Sequence, residues 1–199
     1  MSAPTPNPSS TLRSAIGLAL VVLLVACAQG GGATPSPSTT PTPTPVPSPS
    51  GGQLQVSQTA KAYLVPLKGY EYVALPATVE SQMASTFAAN AAIQQYGKGY
   101  AAASVVKAGQ PKAVVVVLEL DRTVTSLPGF ESGFWRGVAG SSGASPKPTT
   151  IAGRNAQAVD TGDSKLVGWL DGPLIVLVVS PDSMADATEV AQALATAHA

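Results

Sequence analysis

The chain reads as an α+β protein: a mostly antiparallel sheet with two or three helices packed on one face. Three observations predict it. An apolar hairpin followed by a helical stripe occurs twice, at 99–140 and at 164–197. Residues 114–118 (VVVVL) are apolar at consecutive positions, the pattern of a central strand covered by helices. A shorter strand-then-helix precedes both units. Identity between the two units is slight, so they share a pattern rather than a demonstrable duplication.

Each element follows from its local text. Residues 69–75 (GYEYVAL) alternate as a strand does, with Tyr70 and Tyr72 on one face. Pro76 closes that strand and suits a helix's first turn. Over 77–95, Val79, Met83, Phe87 and Ala91 recur every four positions and form a core-facing stripe. Residues 99–107 and 112–120 then form a hairpin about Ala108-Gly109-Gln110-Pro111, and Phe130, Phe134 and Val138 mark a short helix. Residues 151–152 and 155–160 read as strands around a Gly153-Arg154 turn. Residues 166–170 and 174–179 flank Asp171-Gly172, a strong hairpin signal. Ser180-Pro181 predicts an N-cap with proline at the first helical position, and Met184, Ala187, Val190, Ala191 and Leu194 give the last helix its buried stripe.

The first 52 residues are different material. Residues 15–26 (AIGLALVVLLVA) form an apolar run of 12, short of the roughly 20 that span a bilayer as a helix. With Arg13 ahead of it, the run suits the hydrophobic region of an export signal. It ends in Leu24-Val25-Ala26-Cys27, and Cys27 is the chain's one cysteine. This ending resembles the lipobox of bacterial lipoprotein signal peptides. The resemblance implies cleavage after Ala26 and attachment of diacylglycerol to Cys27. Residues 28–52 carry no charge and are dominated by Pro, Ser, Thr and Gly. Such a segment buries too little to offset its ordering entropy, and its prolines favour an extended stalk. The expected division is a signal peptide at 1–26, a lipidated stalk at 27–52 and one α+β domain at 53–199.

Composition narrows the function classes. Eleven basic residues balance eleven acidic ones, so no basic field exists to hold nucleic acid. Cys27 has no partner for a disulfide within the chain, and the single histidine, His198, is penultimate, where fraying is expected. Cysteine- or histidine-based zinc sites and a Ser-His-Asp triad are therefore disfavoured. Ser141-Ser142-Gly143 does not form a G-x-S-x-G elbow. No cofactor is implied.

The residual site candidates are few. Glu119 and Asp121 end the central strand two positions apart, with Arg122 adjacent. Paired carboxylates perform acid-base work or bind a hard cation, but polar residues also mark a strand running out into solvent. Asp160, Asp163 and Asp171 lack the spacing of a calcium loop and fit turn chemistry. All five tyrosines fall between Tyr63 and Tyr100. Tyr70 and Tyr72 present either a face for sugars or side chains packed across a sheet.

These readings favour a membrane-anchored extracytoplasmic lipoprotein whose domain is a non-catalytic binding or accessory module. Its expected partners are the membrane, through lipid on Cys27, and an envelope protein or cell-wall component. In outline it is similar to small surface lipoproteins of high-GC bacteria with a single thick wall. A carboxylate-dependent enzyme and a purely structural envelope protein stand as alternatives.

Overall fold

The computed structural model describes residues 54–140 and 143–199. The expected signal peptide, Cys27 and the stalk lie outside the described residues. Seven strands form one antiparallel sheet: β1 (Glu71–Val73), β2 (Gly97–Lys107), β3 (Gln110–Leu120), β4 (Lys147–Ile151), β5 (Arg154–Asp160), β6 (Lys165–Asp171) and β7 (Leu174–Ser180). Their spatial order is β1-β2-β3-β7-β6-β5-β4. The helices are α1 (Gln58–Ala62), α2 (Ala77–Ala89), α3 (Ala91–Tyr96), α4 (Arg122–Thr125), α5 (Phe130–Gly140) and α6 (Met184–Ala197).

The antiparallel α+β architecture is as the sequence reads, but the helices cover both faces of the sheet rather than one. The two hairpins meet at the centre, where β3 and β7 pair from Val114↔Val179 to Glu119↔Leu174. β7 is buried throughout and β3 from Ala113 to Leu118, so each face needs a cover. On one face Val114, Val116, Leu118, Ile175 and Leu177 pack with Val79, Met83 and Phe87 of α2 and with Phe134, Trp135 and Val138 of α5. On the other, Val115, Val117, Val176 and Val178 pack with Ala187, Val190, Ala191 and Leu194 of α6 and with Ala60 of α1. The two hairpin-then-helix units thus send their helices to opposite faces.

Local chemistry moves several boundaries. The helix expected over 77–95 breaks at Asn90, whose extended backbone (φ −93, ψ 107) ends α2 and whose side chain caps α3 by accepting from the Ile93 amide. Asparagine competes with the helical ladder in this way. Ser180 does not cap the last helix; it closes β7, and Ser183 caps α6 by accepting from the Asp186 amide. Of the four hairpin turns among the described residues, three are two residues long, and the fourth, between Asp160 and Lys165, has four. Lys107 pairs with Gln110 and Ile151 with Arg154, which leaves Ala108-Gly109 and Ala152-Gly153 in the loops. Asp171 pairs with Leu174, so the last turn is Gly172-Pro173 rather than Asp171-Gly172.

Close approach explains Gly168. A Cβ at Gly168 would lie 2.5 Å from the Val176 carbonyl oxygen and 2.7 Å from the Trp135 ring. Gly168 thereby leaves room for the Trp135 ring of α5 to pack close against the sheet. The outer strands are blunted against edge pairing: β1 has three residues, and β4 carries a proline, which donates no ladder hydrogen bond.

Candidate functional site

Glu119 and Asp121 are not brought together as a working pair. Glu119 Oε2 accepts a hydrogen bond from Ser57 Oγ. Ser57 is the N-cap of α1, and its hydroxyl also accepts from the Ala60 amide at 3.0 Å. Asp121 has left the strand and caps α4, accepting from the Thr123 amide at 3.0 Å and the Thr123 hydroxyl at 2.8 Å. Lys98 Nζ lies 3.1 Å from its other oxygen. The Thr123 amide, the Thr123 hydroxyl and Lys98 hold the Asp121 carboxyl down at about 2. Arg122 is exposed on α4.

Tyr70 and Tyr72 do not form an open aromatic platform. Both rings lean on the α6 side of the core. The Tyr70 hydroxyl donates to Glu189 Oε1 at 2.8 Å, and Lys107 Nζ, itself paired with Glu189, sits 5.2 Å above the ring centroid. Burial, then the bond to Glu189, pushes the Tyr70 phenol up to about 12. Tyr72 is half-buried, and its hydroxyl is enclosed without a hydrogen-bond partner among the described residues; burial alone pushes it up to about 12.

The densest polar constellation is one that the sequence reading did not single out. Tyr63, buried after α1, donates from its hydroxyl to Asp171 Oδ2 at 2.8 Å and accepts from Trp169 Nε1 at 3.2 Å. Arg154 Nη1 donates to the same Asp171 oxygen at 2.8 Å, and Arg154 Nη2 to the His198 carbonyl at 2.6 Å. The His198 ring stacks on Tyr63 and donates from Nε2 to the Tyr63 carbonyl oxygen at 2.8 Å. His198 is therefore held, not frayed. Burial raises the Tyr63 phenol to about 12, with Trp169 pulling down and Asp171 pushing up. The Tyr63 hydroxyl, Asp171 Oδ2, Trp169 Nε1, both Arg154 Nη atoms and His198 Nε2 are each bonded within the cluster, so its chemistry is that of a lock. Trp169 and Asp171 alternate onto one face of β6, but nothing local in the sequence ties either to Tyr63.

Asp160 accepts from the Gly162 amide at 2.9 Å and pairs with Lys165. This is turn chemistry, as its spacing implies. Among the described residues no group of three or more His, Cys, Asp or Glu side chains is placed to hold a metal ion, and no helix is long and apolar enough to cross a membrane. Comparison with protein-family models, curated proteins and solved structures gives no match.

Proposed function

We propose that the chain is a lipid-anchored extracytoplasmic protein whose folded part is a non-catalytic binding or accessory module of the cell envelope. The observation that carries the reading is in the sequence. The one cysteine, Cys27, ends an apolar run of export length and opens an uncharged Pro/Ser/Thr-rich spacer. A tether of this kind displays a domain away from a surface. Two acyl chains make such an anchor stable, where one is marginal.

The side-chain geometry supports a module over a carboxylate enzyme. Glu119 fastens Ser57, and Asp121 caps a helix under Lys98. A general acid-base pair instead needs two carboxyls facing one reacting group.

Two measurements test the proposal. Replacing Cys27 with Ser should shift the exported protein from the membrane fraction to the soluble one; unchanged membrane association would overturn the anchor. Thermal unfolding with cell-wall fragments, lipids, sugars and divalent cations tests the module. A ligand at 100 times its Kd stabilises the native state by about 2.7 kcal/mol. Turnover of a cell-wall substrate, lost in Glu119→Gln and Asp121→Asn, would replace the module with the carboxylate enzyme.

A further inference from the structure

Where the expected stalk meets the domain, residues 54–57 run parallel to β2 and bridge to it at Val56↔Tyr100. Two backbone hydrogen bonds make this contact: the Ser57 amide to the Tyr100 carbonyl at 2.9 Å, and the Tyr100 amide to the Gln55 carbonyl at 3.0 Å. β2 provides a seat by lacking side chains there. A Cβ on Gly99 would lie 2.7 Å from the Gln55 carbonyl oxygen and 2.7 Å from Ser57 Cβ, and one on Gly97 would lie 2.8 Å from Leu54 Cδ1. The Ser57 hydroxyl then reaches past β2 to Glu119 on β3. A charge-assisted bond of this kind is stronger than a neutral one.

The strap is nevertheless lightly held compared with what it grips. Leu54 packs on the core and Ser57 is buried, but Gln55 is exposed and Val56 is 59 % exposed, whereas Val115, Val116 and Val117 of the central strand β3 are all buried. Segments with few buried apolar contacts open locally below the free energy of global unfolding. We infer that residues 54–57 are a releasable strap, which clasps the tether to β2 through a glycine seat and to β3 through Ser57–Glu119. Tension on the tether opens this clasp before it reaches the sheet. The use under tension rests on the lipid-anchor proposal; the clasp itself does not.

Amide hydrogen exchange on the chain from Cys27 to Ala199, carrying Cys27→Ser, tests the clasp. The Ser57 and Tyr100 amides should be protected at least 10-fold over a free chain, yet exchange at least 10-fold faster than those of Val115–Val117. Gly99→Val should return the Ser57 and Tyr100 amides to near free-chain rates while the β3 amides keep theirs. Because Gly99→Val is bulky, Glu119→Gln is the second variant. It leaves an acceptor for Ser57 but no charge, and should speed Ser57 exchange several-fold with β3 unchanged. Ser57 exchanging at the β3 rate would overturn the inference, since the segment would then open only with the whole fold. Indifference of Ser57 exchange to both variants would overturn it equally. Neither result depends on lipidation, so the anchor proposal stands or falls separately.

Discussion

The rings of Tyr63 and His198 lie one on the other, with centroids 3.9 Å apart and planes 17° from parallel. The same histidine donates back to the Tyr63 carbonyl oxygen. Two residues 135 positions apart are thus joined by stacking and by a hydrogen bond. This contact fastens the end of α6 to the loop after α1, over the face that β6 and β7 build.

Tyr63 and Tyr72 should respond oppositely to loss of their hydroxyls. Tyr63→Phe strips Asp171 of one donor and leaves the buried Trp169 N–H without its acceptor. A cost of about 1–3 kcal/mol is expected in urea unfolding. The Tyr72 hydroxyl is enclosed with no partner among the described residues, so Tyr72→Phe should be neutral or stabilise by up to about 1 kcal/mol. A loss for Tyr72→Phe as large as that for Tyr63→Phe would contradict the assignment.

Stability should fall in strong alkali. The Tyr63, Tyr70 and Tyr72 phenols are raised from 10.0 to about 12 in the fold, so the folded state favours their protonated form. That stabilisation is complete below pH 10 and is lost as pH rises through 12. For the buried Tyr63 the loss is on the order of 2 kcal/mol. Tyrosinate absorbance followed together with circular dichroism checks it: ionisation of these phenols should accompany unfolding. On the acid side the sign reverses for Asp121, lowered to about 2. Its contribution is present above the ordinary carboxylate range and is lost as pH falls through 2, and Asp121→Asn should remove that dependence.

Two turns carry strain that a single substitution relieves. Ala108 (φ 50) and Ala152 (φ 47) hold left-handed backbone just before glycines that also have positive φ. That conformation costs a non-glycine residue roughly 1–2 kcal/mol, and asparagine accepts it more readily. Ala108→Asn and Ala152→Asn should each add about 0.5–1 kcal/mol, and the gains should sum because the turns are separate hairpins. Denaturant midpoints measure this; no gain in either variant would contradict it.

Gly168→Ala should be costly out of proportion to one methyl. The added Cβ meets a carbonyl oxygen and the buried Trp135 ring at under 3 Å. Overpacking of this kind costs about 1–3 kcal/mol. Trp135 fluorescence should shift with it, because α5 must lift from the sheet. An unchanged spectrum with full stability would show that the contact is not tight.

What was legible in the sequence follows from the range of each interaction. The valine run of β3 announces a central strand by composition alone, and the hairpin-then-helix units follow from periodicity and turn residues. Which face each helix takes depends on the β3–β7 pairing, which no local pattern encodes. The same holds for the polar cluster: Tyr63 meets Asp171 across 108 residues, and Ser57 meets Glu119 across 62. Glu119 and Asp121 looked like a pair because a strand would place both on one face. The strand ends at Leu120, however, and Asp121 turns aside to cap α4.

The central claim is the anchor, and intact mass of the N-terminal peptide from membrane-associated protein tests it most directly. The account predicts a peptide that begins at Cys27 and carries a diacylglycerol on its sulfur. A chain that begins elsewhere, or an unmodified Cys27 thiol in membrane-bound protein, would contradict it.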